Sequence, residues 1–176
     1  MSEAKVGSEF ITHEFDEAIA VQRTIVEAEE QLSRSHPLAE AKGAIKASLK
    51  DDRQYLAQLE KLGKEHGATG KVEEVAGGLQ HLMQETVQKA AEAESEAYEA
   101  HAVLLNLKRK QQDSAAAMLK IARAQRNTKL RDAALQFERG TRESAKELSS
   151  QLASFAVRIA TKGQGGRRAR AARQGV

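Results

Sequence analysis

Cysteine and tryptophan are missing from the 176-residue chain, proline occurs once, and phenylalanine and tyrosine together number six. Without a thiol there is no disulfide, no zinc–thiolate cluster and no cysteine nucleophile. With one proline, long stretches escape the residue that most strongly breaks helices. Strand formers never alternate over a useful length, so no segment reads as a strand. No run approaches the ~18 apolar residues that a membrane-crossing helix needs. The first residues, MSEAKVGSEFITHEFDEAIAV, carry acids where a secretion leader needs a basic stretch and then an apolar one. The expectation from these absences is a cytoplasmic protein.

What is present is charge and alanine. Charged residues make up 30% of the chain, and alanine, glutamate, lysine, leucine, glutamine and arginine dominate it. These side chains lose little rotamer freedom in a helix, so the composition is that of long amphipathic helices. The length fits one domain with its own core. The formal net charge is +3, but Arg167, Arg168, Arg170 and Arg173 stand in a terminal stretch, RRARAARQGV, that has no acid; without them residues 1–166 carry −1. The basicity therefore lies in the tail.

Apolar spacing predicts a first helix from about Ser8 to Ser33, with Phe15, Ile19, Ile25 and Leu32 on one side. SRSHP interrupts it, and Pro37 fits the first turn of a second helix carrying Ile45, Leu49, Leu56, Leu59 and Leu62. That helix is expected to stop at EHGATG, with Gly67 in the left-handed conformation. KVEEVAGGLQHLMQE reads as a short helix whose Gly77-Gly78 pair predicts a kink or restart. A long helix should follow from about Leu79 to at least Lys110, with KRKQQDS either a turn or solvated helix. The last helix shows Phe137, Leu148, Leu152 and Phe155 on one face. Together with Leu104, these apolar residues form the expected core. The fold class expected is all-α, an antiparallel four-helix bundle with room for a short extra helix between the second and third. Residues 1–7 read as a flexible N-terminus, 8–162 as the helical domain and 163–176 as a disordered basic tail.

The stretches LAEAKGAIKASLKDDRQYLAQLEKLGKEHGATGKVEEVAGGLQHLMQE, residues 38–85, and KLRDAALQFERGTRESAKELSSQLA, residues 129–153, resemble ferritin-like proteins of the YciE type. The resemblance implies a bundle with a di-iron site, built from a glutamate on each of two helices and a Glu-x-x-His pair on each of the others. This chain departs from that pattern. The residues three before its histidines are Phe10, Ser33, Gly63, Gly78 and Tyr98, and no Glu-x-x-His occurs. Glu29 and Asp52 lie closest to the apolar stripes. A hairpin about Ser35 places them about 15 Å apart along the helices, too far to share one metal. No cofactor is expected.

EAESEAYEAH, residues 92–101, is the one stretch dense in metal-ligating types. Its Ala93, Ala97, Ala100 and Leu104 stripe leaves Glu92, Glu96 and Glu99 on a solvated face, with His101 at the stripe's border. If a metal were held after all, Glu29, Asp52, Glu96, Glu99 and His101 are the residues to hold it. Ser144, Ser149, Ser150 and Ser154 read as helix-surface hydroxyls rather than nucleophiles, and Lys108, Arg109 and Lys110 as a solvated basic cluster.

Three function classes follow. The leading one is a non-catalytic structural or interaction protein, a homo-oligomer or the partner of another protein, whose tail arginines contact nucleic acid or another anionic partner. The tail's alternative role is a solubilising end. The second class is a ferritin-like metal-binding oxidoreductase or stress protein with an atypical site. The third is an amphipathic protein coating a lipid or polymer granule.

Overall fold

A computed structural model describes residues 3–71 and 74–162, all of whose regular structure is helical. Five helices follow in order: α1 (Glu3–Ser35), α2 (Ala39–Glu65), α3 (Glu74–Lys89), α4 (Glu94–Ala124) and α5 (Thr128–Thr161). No strand occurs among the described residues. The absence of β-forming patterns made this outcome readable from composition.

The ends of the helices follow their local chemistry. α2 closes as expected on Gly67, whose φ of +80° is easy only for glycine. Ala68 N–H donates to Gly63 O at 2.8 Å, which satisfies a carbonyl the helix leaves unpaired. Asn127 caps α5 by accepting from Leu130 N–H at 3.0 Å. The loop after α2 is tied to α1 through the buried Asp16, whose Oδ1 accepts from the backbone N–H of Thr69 at 2.8 Å and of Gly70 at 2.6 Å.

Three boundaries differ from the sequence reading, and one open alternative is decided. α1 begins at Glu3, five residues before the expected start near Ser8. α3 runs through Gly77 and Gly78 without interruption. The long third helix is broken at residues 90–93, where Ala93 is extended (φ −153°, ψ 156°). The break lets α3 lie against both α1 and α4, a tertiary demand that an alanine-rich sequence does not announce. Finally, α4 is unbroken through Lys108–Lys110, so of the two readings of KRKQQDS the helical one holds. The residues of the tail, with its four arginines, lie outside the described residues.

α1 packs chiefly on α2 and α4 on α5, with further contacts of α1 on α4 and α2 on α5. Gln22 reaches Asp52 across the first pair and Thr12 reaches His66 O at its far end. The chain thus doubles back at residues 36–38. Phe15, Ile19, Ile45, Leu49, Leu59, Leu104, Phe137, Leu148 and Phe155 are buried as expected, whereas Leu56 and Leu152 sit half-buried at the core edge.

The buried apolar residues form two clusters. One gathers Ile25, Leu32, Ile45, Leu104, Leu148 and Phe155, and the other Phe15, Ile19, Leu59, Met118, Leu130 and Phe137. Between them the helices contribute polar side chains, and these make up the candidate site.

Candidate functional site

At α4 the apolar stripe steps from Ala97 to Leu104 and Ala115 at intervals of three and four, and Lys108 and Gln111 stand at two of its inward positions. Both are fully buried. The Lys108 side chain has no exposed surface, so its ammonium stays in the core instead of snorkelling to water.

Lys108 Nζ is met by three groups. It donates to Asp52 Oδ2 and, at 2.6 Å, to Ser48 Oγ. It also lies 2.6 Å from Glu29 Oε1, in ion-pair contact but without hydrogen-bond alignment, and Glu29 Oε2 has no partner. Around this centre Gln22 Nε2 donates to Asp52 Oδ1 at 2.7 Å, and Gln111 Nε2 donates to Gln22 Oε1 at 3.0 Å. Four helices therefore share one hydrogen-bonded layer, since Ser144 of α5 joins at 2.7 Å from Ser48.

The separation of Glu29 and Asp52 read from the sequence is corrected here. Gln22 stands level with Asp52, which puts the pivot of the hairpin at about residue 37. With that pivot the two acids are about 10 Å apart along the axis. Side chains lean toward the N-terminus of their own helix, so across a hairpin these two lean toward each other. Both carboxylates end on the same ammonium.

One positive charge serves two negative ones, and Glu29 is the less well satisfied. Burial pushes its carboxyl up to about 8, against the pull of Lys108 and with the push of Asp52. Glu29 therefore holds a proton at neutral pH, and the layer contains Lys108 and Asp52 as its ion pair.

The Ser144–Ser48–Lys108 line has the composition of a serine–lysine nucleophile, but its protons run the wrong way. Ser48 Oγ donates to Asp52 Oδ2 at 2.8 Å, so Ser144 must donate to Ser48. Lys108 Nζ itself donates to Ser48 Oγ, so it is not placed to take that hydroxyl's proton. The N–H groups around both serines are engaged inside helices, so no oxyanion pocket faces them. Ser144 is a structural hydroxyl.

The remaining candidate residues are dispersed. His101 is not at a solvated border but fully buried, and it touches His36 rather than a glutamate. His36 Nδ1 accepts from Leu38 N–H at 3.1 Å, which leaves the proton on Nε2. That proton is given to His101 Nδ1 at 3.3 Å, and His101 Nε2–H donates to Leu148 O at 2.9 Å. One pair of neutral tautomers satisfies every bond. Burial pushes His36 down to about 4, with His101 adding to it, and burial lowers His101 as well. Glu99 is exposed and Glu96 half-buried, away from this pair's bonds. Of the acids in that stretch, Glu94 is the one with an ion-pair partner among the described residues, pairing with Arg158 at 3.1 Å and Lys162 at 2.9 Å. Among the described residues, His13, Glu14 and Glu17 come within 4.8 Å of one another on α1, and Glu17 there is paired with Lys110 at 3.1 Å.

These groups give stability an unusual dependence on pH. Glu29 binds its proton more tightly folded than unfolded, so acidification from about 8 stabilises the fold. The histidines bind theirs less tightly folded, so acidification below 6.5 destabilises it, down to about 4 for His36. Below about 6.5 the proton that folded His36 refuses offsets the one that Glu29 holds, and His101 adds to the loss. Urea midpoints at constant ionic strength are therefore expected to peak near pH 6.5. A midpoint still climbing at about pH 5.5 would mean that an imidazole is protonated inside the fold.

Lys108 and Gln111 were the residues missed in the sequence. The signal was there: they continue the three-and-four stepping of α4, but a Lys-Arg-Lys run reads first as surface. The chain matches no protein-family model, no curated protein and no solved structure.

Proposed function

We propose that the protein is a non-catalytic interaction protein: an antiparallel four-helix bundle of α1, α2, α4 and α5, ferritin-like in plan, that carries an arginine tail for nucleic acid. The observation behind this reading is Lys108. In a ferritin-like plan, inward carboxylates from neighbouring helices hold a metal; here Glu29 and Asp52 are joined by the chain's own ammonium, which stands where a cation would be needed. The layer's charge is spent on holding four helices in register rather than on a ligand. What remains for an outside partner is the tail, whose Arg167, Arg168, Arg170 and Arg173 have no acid among them. Arginine binds phosphate through paired hydrogen bonds and counterion release, without reading sequence.

Four contacts imply weak binding by one chain, so an oligomer presenting several tails is part of the proposal. A gel-shift titration on duplex DNA at two salt concentrations tests it. Full-length protein should bind with a log–log salt slope of no more than about −3.6 per tail, from about −0.9 per phosphate contact. Protein truncated after Gly166 should lose the binding while keeping its helicity. Equal affinity of the two forms, or binding insensitive to salt, would leave the tail as a solubilising end.

A further inference from the structure

α3 covers the seam between α1 and α4, packing on both helices. The opposite seam, between α2 and α5, has no such cover among the described residues. Packing there is sparse, and an open groove of about 580 Å³ runs along it. Gly43 on α2 and Gly140 on α5 keep the groove free of side-chain bulk. At Gly140 the missing Cβ makes room for the Tyr55 ring and hydroxyl, which any larger residue would strike.

The groove is walled by carboxylates. Glu40, Asp51, Glu143 and Glu147 line it and are exposed, and no lysine or arginine is among the lining residues. None of these four acids is in an ion pair among the described residues, whereas Asp52 behind them is committed to Lys108. Four like charges gathered along one trough repel one another, and the chain has one segment whose charge would relieve them.

We propose that this groove is the docking site of the chain's own C-terminal segment, residues 163–176. That segment offers four arginines and no acid to four unpaired carboxylates. Its tether has the right length and starts at the right end. Ser48 faces Ser144, and Lys129 near the start of α5 pairs with Glu65 at the end of α2, so α5 runs on past the Glu40–Glu147 end of the groove. From Glu147 to Thr161 is about 20 Å of helix. Once the turn has used residues 163–166, the stretch from Arg167 to Arg173 spans about 23 Å when extended at ~3.3 Å per residue, which brings Arg170 to the level of Glu40 and Arg173 to that of Glu147. Glu143 and Asp51 lie about 4–7 Å deeper along the groove, within the length of the Arg173 side chain. Gly163, Gly165 and Gly166 precede the arginines and supply the conformational freedom that reversing direction requires.

Single exposed ion pairs are weak, and the tether makes several of them cooperate by holding the segment at high effective concentration. The docking uses only the tail's charge and holds whether or not the tail also binds nucleic acid. Each outcome below is thus separate from the gel-shift result.

Because the chain has no cysteine, two introduced ones can be labelled uniquely. Full-length protein carrying Gln54→Cys and Ala171→Cys, spin-labelled and diluted into excess unlabelled protein, is to be measured by pulsed electron–electron resonance. The expected result is one short-distance population at low salt that disappears at about 1 M salt, where screening acts within about 3 Å. It should also disappear in Glu40→Gln/Asp51→Asn/Glu143→Gln/Glu147→Gln, whose exposed substitutions leave the core untouched and whose circular dichroism should match the parent. A distance distribution as broad at low salt as at high, or one unaffected by the fourfold variant, would overturn the proposal. A short distance that is lost on dilution with unlabelled chain would overturn it too, by showing the tail of a second copy in the groove.

Discussion

Lys108→Met should lower the free energy of unfolding by about 3–5 kcal/mol, the usual consequence of removing one partner from a buried ion pair. Methionine matches the length of the lysine stem and leaves no large void, so the loss measures charge rather than packing. Asp52, 2% exposed, would be left with Gln22 and Ser48 alone to satisfy it, and Glu29 would face it with no cation between. Neutralising the two acids as well, in Glu29→Gln/Asp52→Asn/Lys108→Met, should recover most of the loss. The amides keep hydrogen-bonding capacity toward Gln22 and Ser48 without an unpaired charge. Urea unfolding of the single and triple variants decides the matter. A single-variant cost below about 1 kcal/mol would place the ammonium in solvent rather than in the core.

Phe155→Ala is expected to cost about 3–5 kcal/mol, the range for emptying a buried aromatic site. Phe155 has no exposed surface, and its ring lies 5.0 Å from His36 and 6.2 Å from Tyr98. It is the apolar wall that keeps water from the His36–His101 pair. Truncation should therefore do more than open a cavity. Water admitted beside His36 would weaken the desolvation that holds its imidazole near 4, and its titration should move back toward 6.5. Histidine resonances followed by NMR against pH would show the shift alongside the lost stability. Stability lost with His36 still titrating near its folded value would mean that the cavity stays dry.

Much of the helical plan is legible in the sequence because it depends on local causes. Alanine, leucine and long charged side chains propagate helices, Gly67 stops one through its positive φ, and Asn127 starts another through its side-chain oxygen. Periodicity likewise brings out Phe15, Ile45, Leu104, Phe137 and Phe155 as core residues, since a stripe at helical spacing has to be covered by something. The break at residues 90–93 is a different kind of feature. Nothing in Ala90–Ala93 opposes a helix, and the chain stops there because α3 must cross to the α1–α4 seam.

The sequence by itself determined that this protein is helical, where its apolar stripes lie, and that its excess positive charge sits in the last ten residues. Tertiary structure alone decided what happens to the charges on those stripes. Glu29, Asp52 and Lys108 belong to three helices and are separated by dozens of residues, so no spacing rule links them. His36 and His101 are likewise 65 residues apart and meet only when α4 packs beside the end of α1. A buried charge is tolerated where its partner arrives within hydrogen-bond reach, and that arrival depends on helix register and on side-chain lean to within a few ångströms. Local propensity fixes neither quantity, so the polar layer could be recognised only once the helices were in place.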